Sequence, residues 1–232
     1  KDKLAARLPL EIPFALPNER IRQVVKSYYA NWSENKNLIV AKYDVKQFYD
    51  NIPHNRLLNS LLDKGLEPSV LELVLSAIRT PTLSWKERKD FTGKCSITGV
   101  PQGLPISNIL ATFYLNEIDK YAKSKFLAYF RYVDDILIFN NSKEGFSELT
   151  EAIKKIGLEF NEKSSEGLIT DDFEFLGYNF KNGLLSPRRS SQEKFINQIL
   201  NILKRGQEDA LKAPAESIEE FKAAIVFRLN LK

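Results

Sequence analysis

Two adjacent carboxylates, Asp134 and Asp135, interrupt an apolar stretch that covers residues 128–139. The flanking segments, 129–133 and 136–139, are rich in aromatic and β-branched residues, which favour extended backbone. These segments predict two strands, and the Asp pair is the only place between them for a turn. The sequence therefore predicts a strand–turn–strand unit that carries two acids at its tip.

The tip of such a hairpin is an unfavourable place for two negative charges, because side chains there are crowded and poorly hydrated. Arg131 is the one basic residue that adjoins the pair in the sequence. A divalent cation would compensate the charge, and hard oxygen ligands suit Mg²⁺. The alternative is an ordinary hairpin turn, since Asp is also a common turn residue.

A third acid, Asp44, stands near the end of a second apolar run, residues 38–45, which predicts a strand. If this strand lies beside the hairpin, three carboxylates from two segments come together. Such a set can hold two Mg²⁺ ions roughly 3.5–4 Å apart, the arrangement that supports phosphoryl transfer. Taken by itself, Asp44 is an ordinary turn or N-cap residue.

Residues 99–103 read Gly-Val-Pro-Gln-Gly and predict a tight loop that leads into a helix from Ser107. Glycine lets the backbone approach a ligand closely, and an amide side chain can hydrogen-bond a base or a sugar. Many strand-to-helix turns share this composition, so the loop by itself does not identify a site.

The rest of the chain mixes strands and helices without regular alternation, which favours an α+β fold. Helices are predicted at 21–32, 55–64, 68–78, 107–122, 143–156, 192–205 and 217–229. A hairpin is predicted over 83–97. An alternating strand at 173–180 ends before Asn182 and Gly183, a strong hairpin turn.

Composition narrows the function classes open to this chain. The 232 residues are 43% hydrophobic, which predicts a globular protein that can bury a core. A single cysteine excludes an internal disulfide and a cysteine-rich zinc module, and a single histidine, His54, argues against a Ser–His–Asp hydrolase. The chain has no apolar run long enough to predict a membrane span, and we expect a cytoplasmic protein. A net charge of +4 permits a polyanionic partner without demanding one.

Three segments together resemble motifs A, B and C of reverse transcriptases, and they occur in the order found in that family. Residues 43–54 match motif A, residues 99–119 match motif B, and residues 131–135 match motif C with Arg-Tyr-Val-Asp-Asp. Residues 157–163 resemble motif D, and residues 175–180 resemble the primer-grip segment. The Tyr-Val-Asp-Asp box within this ordered set makes the resemblance specific.

The resemblance covers about residues 38–180 and implies a right-hand polymerase whose palm carries an antiparallel sheet. The domains it implies are helical fingers at 1–37 and 55–98, a palm at 38–54 and 99–183, and a partial helical thumb at 184–232. Because the chain begins at Lys1 and contains no methionine, we expect it to be a piece of a longer protein.

By the same resemblance, Asp44 and Asp134 are the main ligands of two Mg²⁺ ions. Asp135 is the third acid and lies nearer the primer end. The backbone carbonyl of Val45 completes one metal shell. These four positions make up the metal site that the resemblance implies.

Four further positions receive roles from the resemblance. Tyr49 falls at the aromatic position that stacks under the sugar and rejects a 2′-hydroxyl group; the alternative is that it packs in the core beside Phe48. Gln102 lines the nucleotide pocket, and Gly103 lets the template or the nucleotide pass close to the backbone. Lys163 matches the motif D lysine that protonates the pyrophosphate, or else it is a solvated surface charge.

Contacts with phosphates are less sharply predicted, although such contacts would make nucleic-acid binding sensitive to salt. The basic candidates are Arg7, Arg20, Arg22, Lys26, Lys86, Arg88, Lys89, Arg188, Arg189, Lys194, Lys204 and Arg205. His54 follows Pro53 at a predicted helix start, where we expect it to cap or pack. Arg131 either stabilises the fold or contacts a phosphate.

The leading hypothesis is a reverse-transcriptase-like DNA polymerase that uses Mg²⁺ to add dNTPs to a primer on an RNA template. Its motif B segment resembles bacterial group II intron-like and abortive-infection phage-defence enzymes, so phage defence and synthesis without a template are expectations. The alternatives are an RNA-binding maturase or scaffold with a polymerase-like fold, and a nucleotide cyclase on a similar palm. The intact acid triad argues against pure binding, and the Pro-Gln-Gly loop argues against a cyclase. The sequence leaves the oligomeric state open.

Overall fold

The computed structural model describes residues 17–79, 96–104 and 106–212, without the side chains of 17–18 and 205–212. The predicted hairpin at 83–97 lies almost entirely outside the described residues, and the predicted helix at 217–229 lies wholly outside them. The basic candidates outside them are Arg7, Lys86, Arg88 and Lys89, together with the side chain of Arg205. Within the described part, no helix is both long and apolar enough to cross a bilayer.

The described residues form seven helices and seven strands, which confirms the α+β prediction. The helices are α1 (Pro17–Glu34), α2 (Phe48–Asn51), α3 (His54–Asp63), α4 (Pro68–Arg79), α5 (Ser107–Lys125), α6 (Phe146–Lys155) and α7 (Arg189–Lys212). The strands are β1 (Ile39–Asp44), β2 (Ala128–Tyr132), β3 (Asp135–Asn140), β4 (Ser165–Leu168), β5 (Phe173–Phe175), β6 (Tyr178–Lys181) and β7 (Leu184–Pro187).

The first four strands form an antiparallel sheet in the order β2–β3–β1–β4. The register of β1 against β3 pairs Ile39 with Asn140 at one end and Asp44 with Asp135 at the other. Strand β1 is therefore central, and its last residue lies directly across from the first residue of β3. The predicted meeting of the early strand with the acidic hairpin is confirmed.

The turn of the β2–β3 hairpin lies one residue earlier than the sequence predicts. Tyr132 pairs with Asp135, so the loop consists of Val133 and Asp134, and Asp135 already belongs to β3. Val133 has a φ of 57°, a left-handed conformation that strains a β-branched residue. Two-residue hairpin loops need positive φ to match the twist of their strands, and the hairpin accepts this strain at Val133.

Side chains along β1 and β3 alternate between two hydrophobic cores, as the pleat requires. Ile136 packs in the larger core together with α2 to α6. Val40 and Leu137 pack in the smaller core, under α1 and the second sheet. By the same alternation, Asp44 and Asp135 stand on the smaller-core face of the sheet, at the end of their strands.

A second antiparallel sheet has the order β5–β6–β7. The single strand predicted at 173–180 is in fact two strands, because Leu176 and Gly177 turn between them with φ values of 48° and 82°. The predicted turn at Asn182 and Gly183 is confirmed and joins β6 to β7, with φ values of 48° and 73°.

The helix predictions hold with shifts of a few residues. Helix α6 begins at Phe146 rather than at residue 143, because Gly145 takes the N-cap position with a φ of 91°. Helix α7 is longer than predicted and ends at Lys212. The short helix α2 and strand β4 were not predicted.

Candidate active site

Three acids meet at one corner of the central sheet. Asp44 and Asp135 are cross-strand partners, and the backbone N–H of Val45 donates to the carbonyl oxygen of Asp134 at 3.2 Å. This bond ties the residue after Asp44 to the hairpin loop. All three carboxylates are half-buried, so they influence one another through a medium less polar than water.

The pKa values of the hairpin acids record this crowding. Burial raises the pKa of Asp135 to about 6, and the negative charges of Asp134 and Asp44 add to the effect, while Lys42 opposes it. Burial also raises the pKa of Asp134, with a further rise from Asp44 that Arg131 and nearby backbone N–H groups offset in part. The corner therefore carries more negative charge than its surroundings neutralise, as sites built for cations commonly do.

The acidic side chains at this corner do not form a preformed metal-binding site. Among the described residues, no three Asp, Glu, His or Cys side chains are placed so that they could hold a metal ion together. The backbone brings the acids to one place, whereas their oxygens do not converge on one point. Carboxylate and backbone carbonyl oxygens are nevertheless the donors that Mg²⁺ prefers, so the chemistry of the set fits that ion.

The segment that resembles motif D runs beside Asp44 and holds it. Val45 and Phe160 form an isolated antiparallel β-bridge. On one side of it the backbone N–H of Lys46 donates to the carbonyl oxygen of Glu159 at 2.9 Å. On the other side the backbone N–H of Asn161 donates to the carbonyl oxygen of Asp44 at 2.7 Å. The Asn161 side chain also donates to the Asp44 carboxylate at 3.2 Å. Sequence reasoning missed Asn161, because a loop asparagine carries no signal of its partner.

Lys163 lies two residues beyond Asn161, at the surface. Its backbone N–H donates to the side-chain oxygen of Asn161 at 3.4 Å, and its side chain is exposed. The structure therefore places Lys163 just beyond the segment that holds Asp44, with an exposed side chain.

Tyr49 stands between the acids and the start of α5. Its hydroxyl group donates to the side-chain oxygen of Asn108 at 3.3 Å. Burial raises the pKa of Tyr49, and the next largest cause is the negative charge of Asp134. The ring also lies 5.5 Å from that of Phe48, so Tyr49 is half-buried against the core while its phenol faces the acid corner.

The loop of residues 99–104 is anchored at its start and exposed at its tip. The backbone N–H of Val100 donates to the carbonyl oxygen of Tyr49 at 2.7 Å, and the Ser107 hydroxyl donates to that of Pro101 at 2.5 Å. Gln102 and Gly103 are exposed. Gly103 has a φ of 95°, and a Cβ built on it would meet nothing within 4 Å.

His54 is a buried residue that anchors this loop. Its Nε2 lies 2.6 Å from the carbonyl oxygen of Gly99, and the backbone N–H of Gly99 donates to the carbonyl oxygen of Ile52 at 2.8 Å. Pro53 occupies the N-cap position of α3, so His54 packs rather than caps.

Arg131 lies inside the protein rather than on a phosphate-binding surface. Its guanidinium group donates to both oxygens of Asp119, at 2.7 and 2.5 Å, and to the carbonyl oxygen of Val133 at 2.9 Å. The hydroxyl group of Tyr129 donates to Asp119 at 2.7 Å. Of the two roles open to Arg131, the structure supports the one inside the fold, and it reveals Asp119, which the sequence analysis did not single out.

Comparison with known proteins agrees with this geometry. A model of the family described as reverse transcriptase (RNA-dependent DNA polymerase) matches residues 8–180. A protein of Saccharomyces cerevisiae named for intron 2 of COX1/OXI3 is 30% identical over 98 residues, which is 42% of this chain and 10% of that protein. A 91 kDa protein from the cob intron of Schizosaccharomyces pombe is 31% identical over 81 residues, or 35% of this chain and 9% of that protein. The chain thus matches about a tenth of the length of these curated relatives.

Solved structures show the same fold. Telomerase from Candida tropicalis, in complex with a TWJ fragment of telomeric RNA, aligns with a TM-score of 0.58 at 19% identity, over 97% of this chain and 43% of that one. Apo telomerase from the same organism aligns with a TM-score of 0.53 at 18% identity, over 72% and 36%. At this level of identity the agreement concerns the fold.

Proposed function

Because this chain belongs to the reverse transcriptase family, we propose that it is the polymerising part of an RNA-directed DNA polymerase. In this reaction a primer 3′-hydroxyl attacks the α-phosphate of a dNTP. A new P–O bond forms to the primer, the bond to the pyrophosphate breaks, and the hydroxyl proton is released. The observation that carries the proposal is the pairing of Asp44 with Asp135 beside the loop residue Asp134.

Each acid has a role in this proposal. Asp44 and Asp134 would hold Mg²⁺ together with the Val45 carbonyl, and Asp135 would stand nearer the primer end. Bound Mg²⁺ lowers the pKa of an attacking hydroxyl group and neutralises a leaving pyrophosphate. The raised pKa of Asp135 supports the assignment, because an unneutralised acid pair gains most from a cation.

The wall of the site would select the nucleotide. Tyr49 faces Asp134 and bonds to Asn108, so its ring can lie under the sugar and exclude a 2′-hydroxyl group. Gln102 and Gly103 would line the entrance, where the open space around Gly103 leaves room for a nucleotide or template. Lys163 would protonate the pyrophosphate from the exposed side of the motif D segment.

We place the nucleic acid along a groove of about 560 Å³ between α1 and the second sheet. Arg22 and Lys26 line one side of the groove, and Tyr178 and Leu185 line the other. Both cations are exposed, and α1 covers the same sheet face on which Asp44 and Asp135 stand. The phosphates of a nucleic acid in this groove would bind Arg22 and Lys26 with release of counterions, and a base would stack on the ring of Tyr178. A telomerase of similar fold is solved in complex with a fragment of telomeric RNA, which supports a nucleic-acid partner for this chain.

A second candidate function is RNA binding without synthesis, as a maturase or a scaffold. The names of the two curated relatives, both taken from introns, favour this candidate. Finer assignments, namely phage defence, synthesis without a template, and the boundaries of fingers, palm and thumb, stay predictions from the sequence.

Incorporation of labelled dNTPs tests the proposal. With Mg²⁺ and poly(rA)/oligo(dT), we expect synthesis by the natural chain and none after combined Asp134→Ala and Asp135→Ala substitution. A parallel reaction without template tests untemplated synthesis. Tight RNA binding by a natural chain that never incorporates dNTPs would favour the scaffold. Incorporation that persists in the double variant would refute the metal assignment.

A further inference from the structure

A buried ion pair lies directly behind the hairpin that carries the acids. The side chains of Arg131 and Asp119 are only 2% and 1% exposed, and they form a two-pronged contact. Burying two charges carries a large desolvation penalty, which the attraction between them roughly offsets, so apolar residues would often stabilise a fold equally well. The pair therefore invites an explanation beyond stability.

The guanidinium group makes a third contact, and this one reaches the hairpin loop. Its Nη1 donates to the carbonyl oxygen of Val133 at 2.9 Å. Val133 holds the strained positive φ of the loop, and such conformations persist only where the surroundings fix them. The next residue in the chain is Asp134, so the contact fixes the peptide group from which that acid projects.

We propose that Arg131 and Asp119 are positioning residues that set the place of Asp134 relative to Asp44. Helix α5 carries Asp119, Asp119 orients Arg131, and Arg131 holds the loop. The planar guanidinium group can serve both oxygens of Asp119 and the Val133 carbonyl at once, which the single ammonium group of lysine cannot. The consequence for polymerisation rests on the proposed function, whereas the positioning of the loop does not.

Helix α5 also carries the other side of the site. Its first residue, Ser107, bonds to Pro101 of the glycine loop, and Asn108 bonds to Tyr49. Helix α5 therefore contacts Pro101 and Tyr49 near its start, and it contacts the acidic hairpin through Asp119. Because Arg131 bonds both to Asp119 on this helix and to the Val133 carbonyl, it fixes the position of Asp134 relative to the helix.

The test compares Arg131→Lys with a matched control, Tyr129→Phe. The control removes the Tyr129 hydroxyl, which bonds to the same Asp119 oxygen and also interacts with the guanidinium group, but it leaves the bonds of Arg131 to Asp119 and Val133 in place. Mn²⁺ binding to the free protein is measured by calorimetry, and hydrogen exchange is measured in the hairpin peptide 128–139. In Arg131→Lys we expect at least about tenfold weaker Mn²⁺ binding, as for other residues that orient metal ligands, and faster exchange at the loop. In Tyr129→Phe we expect both within twofold of the natural chain.

A rescue variant sharpens the test. Glycine accepts positive φ without strain, so Val133→Gly should restore part of the Mn²⁺ affinity that Arg131→Lys loses. If Arg131→Lys does not fold, Asp119→Glu replaces it, because it keeps the charge and shifts the guanidinium group. Unchanged Mn²⁺ binding and loop exchange in the folded variant would overturn the proposal. Normal Mn²⁺ binding by a natural chain that incorporates no dNTPs would instead overturn the proposed function, and the exchange measurement needs neither metal nor turnover.

Discussion

Asp119, which packs against the β2–β3 hairpin, and the acid pair Asp134 and Asp135 at the tip of that hairpin differ in how their charges are compensated. Asp119 is fully buried; Arg131 neutralises it, and the Tyr129 hydroxyl donates a further hydrogen bond to it. Asp134 and Asp135 are only half-buried, yet burial and the neighbouring carboxylates raise their pKa values by more than Arg131, Lys42 and nearby backbone N–H groups lower them. The cation nearest to the hairpin, Arg131, is directed to Asp119 and the loop carbonyl instead.

This contrast indicates what each region is for. The acid that serves the fold is paired within the chain, whereas the acids that we propose bind Mg²⁺ are left short of positive charge. The difference is one of partners rather than residue type, because the same carboxyl group occurs on both sides. Substitutions in the two regions should therefore change different properties.

The largest expected effect is on synthesis. Asp134→Asn removes a charge from the acid corner, and we expect the rate of dNTP incorporation to fall on the order of 10³-fold, the scale at which lost transition-state electrostatics is felt. Thermal melting of the same variant should show no loss of stability. A variant that retains a tenth of the natural rate would remove Asp134 from the metal-binding set.

The second effect is on stability, in the other region. Asp119→Asn leaves a buried guanidinium group without a charged partner, and breaking a pair of this kind costs about 3 kcal/mol or more of unfolding free energy. Urea denaturation measures this cost. A loss below about 1 kcal/mol would mean that the two groups of acids do not differ as described.

A smaller effect of opposite sign is expected at Asp135. A carboxyl pKa raised from 3.8 to about 6 means that the folded protein holds this proton more tightly than the unfolded chain does. Stability should therefore decrease as the pH rises from about 4 to 6 and remain lower above that range. Asp135→Asn should reduce this decrease and stabilise the metal-free protein at pH 7 by about 1–2 kcal/mol, allowing for partial exposure; the raised pKa of Asp134 leaves a smaller decrease in the variant.

Urea denaturation at pH 4 and pH 7 in the presence of a chelator measures the effect at Asp135. The matched control is Asp63→Asn, an exposed acid at the end of α3, which should change stability by less than about 0.5 kcal/mol. Equal stability of Asp135→Asn and the natural chain at pH 7 would show that the acid corner is not electrostatically strained.

Tyr49 should affect selectivity more than rate. Tyr49→Ala opens the space beside the acids, and we expect the ratio of rNTP to dNTP incorporation to rise about tenfold or more, the scale of a pocket contact. Tyr49→Phe keeps the ring and loses only the bond to Asn108, so it should change the ratio little. If Tyr49→Ala leaves the ratio unchanged, Tyr49 is a core residue only.

The smallest expected effect is on the salt dependence of RNA binding, and it concerns the exposed cations Arg22 and Lys26. Arg22 and Lys26 are exposed in the groove, so replacing each by alanine should reduce the salt dependence of RNA binding by about one phosphate contact. Lys155→Ala is the control, since it changes an exposed lysine on α6, which covers the other sheet face. Equal effects at all three positions would indicate diffuse attraction rather than a groove.

The sequence predicted the parts of this molecule that depend on local patterns. An apolar run predicted β1, and aromatic and β-branched residues predicted the hairpin. The predicted strands, together with the resemblance, grouped Asp44 with the hairpin acids. The turn was misplaced by one residue, because nothing in a β-branched residue such as Val133 signals a positive φ. The break at Leu176 was missed because leucine likewise gives no signal of a positive φ.

Residues that act through tertiary contacts could not be predicted. Asp119 sits in a helix with other polar residues, and only the packing of α5 on β2 shows that it faces Arg131. Asn108 and Asn161 likewise become meaningful once their partners are known. The sequence thus predicted the acids that make up the candidate site, while the residues that hold and orient them needed the structure.

The central claim is that Asp44 and the hairpin acids share a cation across the β1–β3 pairing. Calorimetric titration of the metal-free natural chain and of Asp44→Asn with Mn²⁺ tests this claim most directly. Our account predicts saturable binding by the natural chain and at least about tenfold weaker binding by the variant. Equal affinity of the two proteins would show that Asp44 does not belong to the site and would contradict the account.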